Sequence, residues 1–156
     1  MFALFAEIQL ARCALARGDA AEARTSLEQL AVEAEAVGYA AIRLEAGIYL
    51  AHACAQTVSP RQGLDALDAA LSAAGADAAL YEAAVERARA ACLATLDDRE
   101  GALACLERAL DRAMRQGLLY EQLLTRRARL TLTEGRVGGE ELREVGRLAQ
   151  LLGVPS

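Results

Sequence analysis

Lysine, asparagine and tryptophan are absent from this chain of 156 residues, and histidine occurs once, as His52. Each scarcity excludes something. One histidine and four cysteines (Cys13, Cys54, Cys92 and Cys105), none of them in a C-x-x-C pair, leave no metal-site spacing. No metal or cofactor is expected, and the cysteines read as small residues on helix faces. A net charge of −5 and a pI near 5.0 supply no basic surplus for phosphate backbones, so nucleic acid is not expected as a partner. No apolar run approaches the ~18 residues of a spanning helix, despite 54% hydrophobic content. The opening "MFALFAEIQLARCALARG" has no basic n-region, and Glu7 and Arg12 interrupt its apolar part. A cytoplasmic protein without membrane contact is expected. Lysine and asparagine need A-rich codons, so their absence points to a GC-rich bacterial genome.

Strand signals are lacking too. β-branched residues are sparse and no run alternates with period two. What is abundant is alanine, 37 residues, and leucine, 26, mixed with glutamate and arginine. These are strong helix formers. Breakers or caps fall at Gly18-Asp19, Gly38, Ser59-Pro60, Gly75, Asp97-Asp98, Gly117, Gly135 and Gly153. They delimit eight helical segments and predict an all-α fold. Cutting after Gly38, Gly75 and Gly117 gives four helical hairpins, 1–38, 39–75, 76–117 and 118–156, in one domain.

A period of this size belongs to helical repeat arrays. With corners aligned at Gly18, Val58, Asp97 and Gly135, the residue seven positions upstream is Ala11, Ala51, Ala90 and Ala128. Nine positions downstream stand Leu27, Leu67 and Leu106, a column that the fourth unit breaks at Arg143-Glu144. A small residue permits close helix approach, and the leucine fills the neighbouring groove.

The units "L-A-x-x-A-x-x-x-G-D-x-x-E-A-x-x-x-L-E" (Leu10 to Glu28) and "D-R-E-G-A-L-A-C-L-E-R-A-L" (Asp98 to Leu110) resemble tetratricopeptide repeats (TPR). They run longer than the usual repeat and lack its aromatic signature positions. In this they are similar to the TPR-like regions of bacterial ATP-dependent LuxR-type activators and multidomain class III adenylyl cyclases. The last stretch, with "Leu-x-Tyr-Glu" at Leu118 and "Leu-Gly-Val" at Leu152, resembles the closing hairpin of such regions. The resemblance implies a right-handed superhelix of about four hairpins. It also implies the regulatory portion of a signalling or transcription-control protein, read as an excised segment or a small free-standing relative. No G-x-x-x-x-G-K-[ST] is present, so no P-loop accompanies the repeats.

Carried through the aligned alanines, the TPR register puts Ile8, Arg12 and Leu15 of the first unit on the concave groove. Glu45, Ile48 and His52 follow from the second, Arg87 and Ala91 from the third, and Gln122, Thr125 and Arg129 from the fourth. The groove so drawn is weakly basic and suits a protein or peptide partner with an acidic group, or a small anionic effector. The same arginines read more readily as solvated or ion-paired side chains beside Glu7, Glu45 and Glu86. The first helix places Phe2, Phe5 and Ile8 at helical spacing. An apolar face there predicts cover by a preceding repeat or by a second copy in a homodimer, with burial inside the first hairpin as the alternative.

Chemistry is not expected. His52 and Cys54 are two residues apart on a helix and point about 200° away from each other. Most carboxylates are expected on solvent faces, and no serine sits in a nucleophile elbow. The leading expectation is a non-catalytic interaction or effector-sensing module. A stand-alone scaffold or adaptor is the second reading, and a small helical enzyme the third.

Overall fold

In the computed structural model, helices occupy every segment that the corners delimit. The structure describes residues 2–57, 59–134, 136 and 138–155, with the side chains of all of these except Phe2, Ala76 and Asp77. The corner positions Val58 and Gly135, and the side chain of Phe2, lie outside what is described.

The first hairpin is α1 (Phe2–Arg17) with α2 (Ala20–Ala36), and the second is α3 (Ala40–Ala55) with α4 (Pro60–Ala74). The third pairs α5 (Glu82–Thr95) with α6 (Arg99–Arg115), and the fourth α7 (Leu119–Leu132) with α8 (Gly139–Leu152). The described residues contain no strand. One element departs from expectation. The third unit does not open directly into its first helix, because Gly75–Leu80 forms a 3-10 helix. Gly75 leaves α4 at φ +56, and Gln116 at the end of α6 donates to the carbonyl of Ala79, 3.1 Å away.

The corners after α1, α5 and α7 each hold a left-handed residue. After α1, Gly18 takes φ +88, its N–H donates to the Leu15 carbonyl and that of Asp19 to the Ala14 carbonyl. This Schellman pairing satisfies carbonyls that the helix end leaves over. After α5 the left-handed position is held by Asp97 at φ +62, and after α7 by Glu134 at φ +54. Asp98 then caps α6, its carboxylate accepting from the Gly101 N–H at 2.9 Å.

Four apolar clusters follow one another along the chain. The first joins α1, α2 and α3 around Ile8, Leu27 and Leu30; the second joins α3, α4 and α5 around Leu44, Ile48 and Leu67. The third links α5, α6 and α7 through Ala90, Cys105 and Leu106, and the fourth holds α8 on α7 through Leu123, Val145 and Leu148. Helices touch the next helix in the chain, and first helices also touch the first helix of the next unit. No described helix reaches across an intervening unit. The core is a file of small cores without a common centre.

The small-residue and leucine columns hold this file together. Ala11, Ala51 and Ala90 are buried, as are Leu27, Leu67 and Leu106. Helices α3 and α4 approach closely at two glycines. A methyl group placed on Gly63 would lie 2.8 Å from Cys54 Cβ, 3.0 Å from Cys92 Sγ and 3.1 Å from Ala51 Cα. One placed on Gly47 would lie 2.6 Å from Ala70 Cβ.

A pair of substitutions tests this. Gly63→Ala overpacks the α3–α4 contact and costs about 1–3 kcal/mol, against the gain in helix propensity. Gly146→Ala, with nothing within 4 Å of the added methyl, gains about 0.5–1 kcal/mol. Urea-unfolding midpoints of the two variants should move in opposite directions.

Candidate functional site

The first helices α1, α3, α5 and α7 lie in succession, and their exposed sides together form a groove. A cavity of about 550 Å³ touches all four of them, from Leu15 and Ala16 on α1 to Thr131 and Leu132 on α7. A second, of about 360 Å³, adjoins it and shares Arg12, Tyr49, His52, Arg87, Tyr120 and Leu124. Helical spacing explains the selection. Arg12 and Ala16, Tyr49 and His52, Arg87 and Ala91, and Leu124 and Ala128 each stand about one turn apart on their helix.

The expected site residues divide into two groups. Arg12, His52 and Arg87 line both cavities, and Glu45 lines the smaller. Leu15, Ile48 and Ala91 also reach the groove as expected. Ile8 does not. It is fully buried in the first core cluster, so it belongs neither to the groove nor to an outer face of α1. Phe5 is 53% exposed.

The fourth unit corrects the register. Gln122 is buried, and its amide donates to the Ala113 carbonyl at 3.3 Å. Thr125 is fully buried and donates to the Glu121 carbonyl. Arg129 faces away from the groove, its Nη1 lying 3.7 Å from Glu141 Oε1 on α8, where Arg126 also pairs with Glu141. The cause is a slip of one residue. The left-handed corner after α7 is Glu134, one position ahead of the glycine that marked it in the sequence. Helices α5 and α7 end at Thr95 and Leu132, so the counterparts of Arg87 and Ala91 are Leu124 and Ala128.

Sequence reasoning missed Tyr49, Tyr120 and Leu124. Tyr49 stands one helical turn before His52 and could have been placed from that spacing. Leu124 and Tyr120 required the corrected corner. Nothing in the composition distinguishes Glu134 from Gly135 as the left-handed residue, since glycine is the usual occupant.

The electrostatics of the groove follow from these neighbours. Arg87 is nearly buried and pairs with Glu121 across the α5–α7 contact. Arg12 Nη1 donates to Gln9 Oε1 at 2.8 Å, and its guanidinium carbon lies 5.1 Å from the Tyr49 ring centre, a cation–π arrangement. Among the described residues Arg12 has no ion-pair partner. Burial raises the Glu45 carboxyl above its ordinary range, with Arg12 opposing that shift. Burial also lowers His52, helped by the positive charge of Arg87, to a pKa of about 4. The imidazole is neutral at pH 7. The groove therefore carries two arginines against Glu45 and Glu121, and the basic column of the sequence reading gives way to a balanced site in which one cation, Arg12, makes no ion pair among the described residues.

The remaining surface is apolar: Leu15, Leu106, Leu124, Leu132 and a shelf of alanines from α5 and α7. Cys54 belongs to the first core cluster while His52 opens on the groove, so the two do not meet. Cys54, Cys92 and Cys105 are buried with thiols pushed up by burial, Cys92 to about 11. Only Cys13 among the four is exposed. Among the described residues no group of three or more His, Cys, Asp or Glu side chains is placed to hold a metal ion, and no helix is long and apolar enough to cross a membrane. Comparison with family models, with curated proteins and with solved structures gives no match for the chain.

His52 provides a pH test. Its folded pKa lies below the ordinary 6.5, so the unfolded chain binds the proton first and stability is lost as pH falls from about 6.5 to about 4. The loss attributable to His52 is about 3 kcal/mol across that window, at 1.36 kcal/mol per unit. Urea midpoints measured from pH 7 to pH 4 should fall more steeply for the native chain than for His52→Gln. Equal slopes would mean that the imidazole is solvated.

Proposed function

We propose that this chain is a non-catalytic interaction module of the TPR-like kind, whose first-helix groove receives a peptide segment from a protein partner. One observation carries the reading: a single, mostly apolar cavity touches all four first helices. A continuous trough suits a ligand longer than a metabolite, since its lining is spread over all four first helices, with two to five residues from each. Apolar side chains of the segment would lie on Leu15, Leu106, Leu124 and the alanines Ala91 and Ala128. A carboxylate of the segment, from an acidic side chain or a chain terminus, would sit on Arg12, which Tyr49 holds in place from below. The neutral His52 and the Arg87–Glu121 pair add polar groups without a net charge.

In this reading the hairpins wind as a TPR-like superhelix with the groove on the inner side. Occupancy would then alter the curvature of the array and so regulate whatever it is attached to. That agrees with the role implied by the resemblance to bacterial regulators.

Selection from a displayed random-peptide library tests the assignment. Peptides enriched by the native chain should combine apolar residues with a carboxylate. They should lose binding to Ala91→Arg or Leu124→Arg, which fill the trough. Arg12→Gln should weaken them about fivefold, equivalent to about 1 kcal/mol. Peptides that bind all three variants as well as the native chain would place recognition elsewhere.

A further inference from the structure

We propose that the smaller cavity is a side pocket for one aromatic side chain of the bound segment, a tyrosine or tryptophan whose O–H or N–H donates to Glu45. The proposal rests on the reading of the groove as a peptide site and names the residue that anchors the peptide there.

Position and lining set this pocket apart from the rest of the groove. The larger cavity reaches the C-terminal ends of the first helices, at Gln56, Ala94 and Leu132. The smaller one lies nearer their beginnings, at Glu45, Tyr81 and Leu118. Two short pieces of chain build its rim. The 3-10 segment Gly75–Leu80, which only the third unit has among the described elements, brings up Leu80 and delivers Tyr81 to the start of α5. The corner between α6 and α7 brings up Leu118 and Tyr120. Gln116 fastens the two pieces to each other through the Ala79 carbonyl. The Arg87–Glu121 pair, which also lines the pocket, ties α5 to α7. The walls are therefore in place before a ligand arrives.

The lining favours a ring. Tyr49, Tyr81 and Tyr120, three of the four tyrosines in the chain, meet at this one cavity. Leu80, Leu118 and Tyr120 line it while remaining 77%, 36% and 45% exposed, so apolar area is left uncovered. Aromatic side chains offer faces and edges to another ring. A volume of about 360 Å³ is near the lower limit for ligand sites, about 300 Å³, and suits a single side chain.

The polar groups decide which ring. Glu45 and Glu121 balance Arg12 and Arg87, and His52 is neutral, so a charged group of either sign meets its own sign here. Glu45 is partly buried and feels the charge of Arg12, yet it makes no hydrogen bond or ion pair among the described residues. Covering it with a purely apolar side chain would bury an acceptor unpaired. A phenol or an indole supplies the missing donor.

The chain has no tryptophan, so the fluorescence of a tryptophan probe is read without background. N-acetyltryptophanamide at micromolar concentration, titrated with the native chain up to millimolar, should shift its emission to the blue and gain anisotropy. Ala84→Phe, which fills the smaller cavity alone, should weaken binding at least fivefold with an unchanged circular dichroism spectrum. Ala91→Arg, which blocks only the larger cavity, should leave probe binding unchanged. Peptides selected on the native chain should carry tyrosine or tryptophan. Exchanging that residue for phenylalanine should weaken them about fivefold on the native chain and not at all on Glu45→Ala. A probe that does not bind, or that binds Ala84→Phe as well as the native chain, overturns the proposal. So do peptides that Ala91→Arg rejects and Ala84→Phe accepts, an outcome that leaves the peptide groove standing without its anchor. Probe binding that depends on Ala84, with no peptide that depends on Ala91, overturns the peptide reading instead and gives the pocket to a free aromatic compound.

Discussion

The close approach of one helix to the next at a small side chain is the constraint on which the other features of this chain depend. Where α4 crosses α3, Gly63 leaves no room for a methyl group against Cys54, Cys92 and Ala51. Leu67 and Leu27, one turn further along their helices, fill the hollows that such approaches create. Each contact is short in range and buries little. Stability must therefore be assembled from several of them, which is why the apolar residues form four clusters in a row. Alanine-rich composition is the direct expression of this geometry. It raises the hydrophobic fraction without producing any segment apolar enough for a bilayer.

The same stacking creates the groove. Second helices pack against one side of the first helices, and the exposed sides of the four first helices together line the trough. Because the first helices sit close together, charged residues on neighbouring ones find each other. Arg87 on α5 reaches Glu121 on α7, and Arg12 on α1 reaches the ring of Tyr49 on α3. Desolvation by the same neighbours keeps His52 uncharged. What results is a trough with an apolar floor and a sparse, mostly neutralised set of polar groups.

The architecture was largely legible in the residues, because helix corners have strong local chemistry. Gly18 and Gly38 occupy left-handed positions, and Asp98 caps the helix that follows it. The alanine and leucine columns identified the buried contacts of three units. The site was legible only in part. Arg12, His52 and Arg87 line the groove where the register put them, and the corners at Gly18 and Asp97 hold the left-handed positions that the register assumed. The fourth corner falls one residue early. Glu134 takes a conformation that L side chains rarely adopt, beside a glycine that takes it easily, and a displacement of one residue turns a helix by about 100°. That turn moved Gln122 and Thr125 into the interior and Arg129 onto Glu141. The 3-10 segment at Gly75–Leu80 was missed for a related reason. Its alanines are as compatible with an α-helix as with the tighter turn.

Connectivity through adjacent units only has a mechanical side. Helices α1 and α7 make no contact with each other, yet both contribute to the wall of one trough. Left empty, that trough leaves the spacing between its two ends to the compliance of three successive joints. Anything long enough to rest on both ends ties them directly, much as a splint spans a jointed rod.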